Sequence, residues 1–540
     1  MKKNLPIIIV LLLFFIQQGN TQVVNYFSVP GYNEISKIDT NTYSVLPSGR
    51  YVKPAGQSIR ISHDPFGLAI SPNQKIAITM HENAITIIDL ASMQQKRIPE
   101  YKKNAFNPLK KGSFLGVAFN PNKNIVYLSG GDEGSVIIYD YVQNKKIDSI
   151  LLDGIFGGIK YEGSFTSDLI YEATRNELLI LDRGNFRLVR YSLNNKKIIA
   201  SIPTGRQPFG LAISPDQKTV LVANVGMYAY PIVEGTTKEN IQSQYINWHP
   251  YGNNTKESIE GKVIDGKKIP GLGSPNADES MSVFVIDLAT NKVKAKLKTG
   301  MLLGELVEDA EVIGGASPNS IVMGTKFAYV TNATNDNIAV IDYKRGRIAK
   351  HIAIKVDQRI DKLRGLVPFG IDLTKDEKYL FVALLGFNAV AKIDLASEKT
   401  LGLIPTGWGT TRVKLSNDDK TIYVTSCRGL GAGPNGGKNF KIPAQGSYIG
   451  DIQLGSFQKI ENPSIDKLKA YTKQTIENTF IVKSQTDSLP LPVLPGSKES
   501  PIKHIVFITK ENRTFDEVFG QMKNIRGESN LARFGIDVTV

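Results

Sequence analysis

One phrase keeps returning along the middle of this chain. Pro65-Phe66-Gly67-Leu68-Ala69-Ile70-Ser71-Pro72 recurs almost unchanged as Pro208-Phe209-Gly210-Leu211-Ala212-Ile213-Ser214-Pro215. Looser copies begin at Phe114, Phe165, Ala316, Pro368 and Gly407, which makes seven units. Their spacing is roughly 40 to 50 residues, with one interval about twice as long. A repeat of this size is one supersecondary unit that cannot bury its own apolar face, so neighbouring copies must stack to make a core.

Inside each unit the order is an apolar strand, a Ser-Pro-Asp or Asn-Pro-Asn turn, a second strand, a short turn, and an alternating strand that often closes on Ile-Asp-Leu. Ile85 to Leu90, Val136 to Tyr141, Val283 to Leu288, Ile338 to Tyr343 and Val390 to Leu395 are the alternating strands. β-Branched residues at period two mark strands, and Pro, Gly, Asn and Asp mark the turns between them. A closing strand such as Lys197 to Ile202 then leads through Pro203-Thr204-Gly205 into the next unit. Four short antiparallel strands per unit describe a propeller blade. The expected fold is therefore all-β, a seven-bladed β-propeller over residues 22–430.

Tyr329-Val330-Thr331-Asn332 stands in the fifth unit and Tyr423-Val424-Thr425-Ser426 is a near copy in the seventh. On these motifs the stretch from Pro65 to Ser426 resembles the YVTN family of seven-bladed β-propellers. Radial closure needs the two ends joined, and Tyr51 to Ile61 is the expected strand that completes the last blade. Leu46 to Gly56 also resembles the lead-in of proteins in which such a propeller precedes a phosphoesterase domain. Between Gly226 and Met281 the repeat is broken by an insertion that includes Trp248-His249-Pro250-Tyr251. An insertion between strands leaves on one propeller face, where binding loops gather. A protein partner on that face is one expectation, and a loop without a role is the other.

Residues 431–499 read as a linker with a short helix. Ser464 to Asn478 has helical spacing at Ile465, Leu468, Tyr471 and Ile476, and Leu489 to Pro495 alternates with proline as a stiff spacer. Gly429 to Gly437 is glycine-rich but lacks the Gly-Lys-Ser/Thr ending of a phosphate loop and reads as an irregular loop.

The final segment, 500–540, carries the only sign of bond-breaking chemistry. His504 to Thr509 is an apolar, β-branched run expected to form a buried parallel strand. Glu511-Asn512-Arg513-Thr514-Phe515-Asp516 follows, at the strand's carboxyl end, where open α/β sheets place ligands. Thr514 and Glu517 have capping-box spacing, so a helix should start there and carry Phe519 onto the sheet. A carboxylate beside a carboxamide supplies two hard oxygen ligands suited to a divalent cation. This segment, closely from Ser500 to Gly520, resembles the opening of the phosphoesterase family that contains phospholipases C and acid phosphatases, relatives of the alkaline phosphatases. The resemblance implies a metal-bearing active site with Glu511 and Asn512 in it, a metal-activated Ser or Thr nucleophile, and a phosphorylated small molecule or phospholipid as substrate. That nucleophile is not identified among these residues. The stretch after Gly520 is too short to bury an α/β core, so the expectation is an inactive N-terminal fragment of such a domain.

Composition sets the remaining bounds. Lys2 and Lys3 precede an apolar run, Leu5 to Ile16, and then Gly19-Asn20-Thr21. This is the pattern of a signal peptide over 1–21, and it implies a periplasmic or secreted protein with no transmembrane segment after cleavage. Cys427 is the only cysteine, which excludes an internal disulfide. The five histidines, at 63, 81, 249, 351 and 504, form no metal-ligand spacing, and no haem attachment motif is present. The net charge of +14 comes largely from lysines scattered over turns, without the basic helix or aromatic platform of a nucleic-acid reader. Two function classes follow: a secreted metal-dependent phosphoesterase in which the propeller is a platform, and a non-enzymatic extracytoplasmic propeller that binds or scaffolds.

Overall fold

Seven four-stranded antiparallel sheets follow one another along the chain. The computed structural model describes residues 23–102, 105–109, 112–237, 239–240, 255–264, 266–307, 310–433, 452–486, 502–509, 513–525 and 527–532. The first strands of the seven blades are Gly67–Ile70, Val117–Phe119, Thr166–Glu172, Pro208–Ile213, Pro318–Met323, Pro368–Leu373 and Thr410–Leu415. Each touches the first strand of the next blade, and the seventh touches the first, so the ring is closed.

The repeated turn residues explain the hairpins. The Ser71 hydroxyl accepts the Ile76 N–H at 2.9 Å and donates to Asn73 at 2.8 Å. Ser214, Thr374 and Ser416 do the same for Thr219, Tyr379 and Thr421. Such a hydroxyl satisfies a turn N–H that no strand can reach. The Asp that closes the third strand has a matching role after it. Asp89, Asp140, Asp287 and Asp394 accept backbone N–H groups of Ser92, Gln143, Thr290 and Ser397 at 2.7 to 2.8 Å.

Closure follows the expected scheme but uses more of the chain. Gln57–Ile61 pairs antiparallel with Gly455–Glu461 as the outermost strand of blade 7. That third strand lies inside 431–499, so the propeller extends beyond residue 430 and the stretch is not simply a linker. The cause is the long connection after Ser426, which separates the second strand of the blade from its third and hides the repeat's spacing. The helix is Ile465–Thr479, N-capped by Ser464. Leu468 and Ile476 are buried as expected, whereas Ile465, at the first helical position, is 76% exposed. Thr472 of this helix accepts the Leu403 N–H at 2.9 Å, fixing the helix on the outer strand of blade 6. The chain then returns as Ile481–Thr486, which pairs with Val23–Ser28 in a two-stranded ribbon.

The expected buried strand at 504–509 is not formed. Among the described residues 504–509 belongs to no assigned strand, and Ile505, Val506, Phe507 and Ile508 are each more than 80% exposed. A strand is held by hydrogen bonds to neighbours, and no strand among the described residues is assigned as pairing with it. The capping box does form. Glu517 N–H reaches Thr514 Oγ1 and Thr514 N–H reaches the Glu517 carboxylate, opening the helix Phe515–Phe519. Its buried residue is Val518, while Phe519 is 40% exposed rather than packed on a sheet. Residues 1–21, Trp248 to Tyr251, Pro434 to Gly437 and Leu489 to Pro495 lie outside the described residues. No described helix is long and apolar enough to cross a membrane.

Candidate functional site

Glu511 and Asn512 lie outside the described residues, between the exposed run 502–509 and the capped helix that starts at Phe515. Two of the described histidines are engaged within the propeller. His81 is buried in blade 1, donating from Nδ1 to the His63 carbonyl at 2.8 Å, with Nε2 facing the hydroxyls of Thr79 and Thr86. His351 Nε2 accepts the Gly300 N–H at 3.1 Å. Cys427 is buried, and burial pushes its thiol up to about 11, which keeps it protonated and unreactive. Among the described residues no three His, Cys, Asp or Glu side chains gather as a metal site.

The channel along the propeller axis gathers charge instead. Four residues before the first turn of each blade, four blades carry glycine: Gly67, Gly116, Gly210 and Gly370. Glycine is required where inner strands come closest: a Cβ at Gly210 would lie 2.2 Å from the Asn319 carbonyl oxygen, and one at Gly67 2.5 Å from that of Leu115. The same position in the other three blades holds Asp168, Ser320 and Arg412. These three side chains line one channel cavity of ≈160 Å³.

Arg412 spans the channel. Its Nε donates to the Phe66 carbonyl of blade 1 and its Nη1 to Ser320 Oγ of blade 5, both at 2.8 Å. Asp168 accepts the N–H groups of Leu169 at 2.9 Å and of Leu211 in blade 4 at 3.3 Å. Burial pushes the Asp168 carboxyl above its ordinary range, against the pull of Arg412, and burial likewise lowers the Arg412 guanidinium. Lys414, beside them, is 3.7 Å from Asp372. The sequence signal for this site was present but easily passed over: three polar side chains replace a repeated glycine.

At the end of the channel where the first strands begin, phenylalanines meet across the axis. Phe114 packs edge-on against Phe209, Phe209 against Phe369, and Phe369 against Phe66, with centroids 5.3 to 5.9 Å apart. A shallow mouth of ≈280 Å³ opens beside these rings, with Asp64, Glu82 and Asp132 on its walls. Connections between second and third strands emerge on this face. Both long ones leave from it, the expected insertion 226–281 in blade 4 and the stretch after Ser426 in blade 7. The described part of the first holds a short helix, Lys256–Glu260, and a hairpin of Gly261–Ile264 with Lys267–Pro270. Arg206 anchors it by donating to the carbonyls of Met227 and Ser274 at 2.7 and 2.8 Å.

No protein-family model matches the chain, and no curated protein matches it in sequence. Among solved structures, the hydrazine synthase of Kuenenia stuttgartiensis is similar at 17% identity and a TM-score of 0.45, over 68% of this chain and 94% of that one. The class of this protein, a seven-bladed β-propeller, rests on the strand pairing and ring closure described above.

Proposed function

We propose that this chain is an extracytoplasmic propeller of the YVTN kind joined to the opening of a metal-dependent phosphoesterase module, with the propeller as the platform that presents substrate. The observation that carries this reading is the sequence from Ile502 to Asp516, in which an apolar strand-type run leads into Glu511-Asn512 and a capped helix. Four consecutive apolar residues, Ile505 to Ile508, lie open to solvent. That favours a sheet as their natural cover. Glu511 would supply a carboxylate and Asn512 a carbonyl oxygen to a divalent ion, donors of the hard type that such ions prefer. When bound, such an ion would supply polarisation of the phosphoryl group and activation of the attacking oxygen. Glu511 and Asn512 would hold and orient it.

The test is metal content and aryl-phosphate hydrolysis of protein made from the gene's complete reading frame. Glu511→Gln keeps the shape and removes one negative charge, so metal retention and turnover should fall by on the order of 10²-fold. Unchanged metal content and turnover in that variant would overturn the assignment. Export is tested by the N-terminal sequence of secreted protein, expected to begin close to Gln22. The second reading, a propeller that binds a partner without catalysis, is favoured by the departure of both long connections from one face. Absence of metal-dependent turnover in the parent protein selects it.

A further inference from the structure

We propose that the axial channel is a binding site for a small zwitterion, a free α-amino acid or a molecule of that charge pattern, held between Asp168 and Arg412. The inference is independent of the phosphoesterase reading and rests on the propeller alone.

The two charges come from blades 3 and 7, as far apart around the ring as seven blades allow. Both face the same cavity, and among the described residues neither forms an ion pair. The charge of each still bears on the other, and that of Lys414 bears on Asp168. Lys414 also lines the cavity and adds positive charge toward Asp168, with Asp372 beside it at 3.7 Å, but it forms no ion pair with Asp168 among the described residues. A buried charge without a partner is costly, so a pair held apart across a cavity is an arrangement that needs something between them.

Their hydrogen bonds leave capacity on both sides. The Asp168 carboxylate has about four lone-pair sites and accepts two backbone N–H groups. The Arg412 guanidinium has five N–H donors, and two are spent on Phe66 and Ser320. Those same contacts fix the direction of the guanidinium, so the site is organised before anything binds. A ligand ammonium would answer Asp168 and a ligand carboxylate would answer Arg412, whereas a simple anion or cation would satisfy only one. The cavity, ≈160 Å³, is close to the roughly 150 Å³ known to hold a molecule of benzene's size. The interleaved phenylalanines obstruct one end of the channel, so the ligand enters from the face that carries the Ser-Pro turns.

Calorimetric titration of the whole protein with glycine, L-alanine and L-serine tests the proposal, with acetate and methylammonium as single-charge controls. At least one amino acid should bind, and each control at least tenfold more weakly. Asp168→Asn, nearly isosteric, should weaken amino-acid binding at least tenfold while leaving the β-type circular dichroism spectrum intact. Arg412 also joins blade 7 to blade 1 and its variants risk the fold, so the comparison of zwitterion with single-charge probes is made on the unaltered protein. The proposal is overturned if no amino acid binds at millimolar concentration, which would mean a water-filled channel. It is equally overturned if acetate binds as tightly as glycine, or if Asp168→Asn binds the amino acid like the parent.

Discussion

The Arg187 guanidinium meets the Asp182 carboxylate at 2.8 Å with the two side chains only 2% and 0% exposed. They are cross-strand neighbours in the central hairpin of blade 3. Asp182 also accepts from the Ser164 hydroxyl at 2.8 Å and the Phe165 N–H at 3.1 Å, while Arg187 donates to the Leu152 carbonyl at 2.8 Å and lies over the Tyr161 ring. The pair thus ties the blade to the connection that enters it from blade 2. Removing one partner would leave the other charge buried alone.

Asp182→Asn should accordingly destabilise the fold by about 3–5 kcal/mol. The exposed Lys350–Glu398 pair joins blades 5 and 6 at the surface, and its loss should cost at most about 1 kcal/mol. Urea unfolding of the two variants checks the contrast, and equal losses would contradict the burial argument.

Closure of the ring yields the second prediction. A fragment of residues 23–430 contains the closing strand Gln57–Ile61 but not Gly455–Glu461, the strand it pairs with. Blade 7 would keep three of its four strands but only two of them paired, with Tyr423 and Val424 losing their cover. The 23–430 fragment should melt at lower temperature and less cooperatively than 23–486, and show dye binding by exposed apolar surface. Matching melting curves would mean that blade 7 is dispensable.

What could be read from the sequence divides along physical lines. The seven units, their turns and the closing strand were legible because each is a local pattern of residue types. Gly455–Glu461 was not, because a long connection put it out of phase with the repeat. The ribbon of Val23–Ser28 with Ile481–Thr486 pairs the two ends of the described propeller region, and no local signal links segments so distant. His504 to Thr509 shows the reverse failure, since strand composition cannot reveal whether a neighbouring strand is there to pair with. Asp168 and Arg412 became visible only once the glycine position was aligned across blades.

His81 gives the pH prediction. Burial lowers its pKa from the ordinary 6.5 to about 3, against the opposing effect of its hydrogen bond to the His63 carbonyl. The folded-state value lies below the unfolded one, so between them the unfolded chain binds the extra proton. Stability present above about 6.5 is therefore lost as the pH falls toward 3. From pH 7 to pH 5 the loss from this residue is roughly 2 kcal/mol. His81→Gln should remove that part of the pH dependence, even if it lowers stability at pH 7. Parallel losses in parent and variant between pH 7 and pH 5 would show that His81 is not the group responsible.

The last prediction concerns the glycine of the repeat. Gly210 sits where blades 4 and 5 approach at the axis, and an added Cβ would stand 2.2 Å from the Asn319 carbonyl oxygen, a backbone atom that cannot swing aside. Asn319 is itself fixed, because its side-chain amide donates to the Pro368 carbonyl of blade 6 at 3.1 Å. Ser167 of blade 3 likewise donates to the Pro208 carbonyl at 2.9 Å, holding the strand that carries Gly210 from the other side. Relief therefore requires the inner strands to spread, and Gly210→Ala should cost about 1–3 kcal/mol, the scale of overpacking a tight core. Gly314 has no atom within 4 Å of its ideal Cβ, so Gly314→Ala should stay within about 0.5 kcal/mol of the parent. Urea midpoints of the two variants decide the matter. If Gly210→Ala is as stable as Gly314→Ala, close approach of the blades is not what keeps glycine in the repeat.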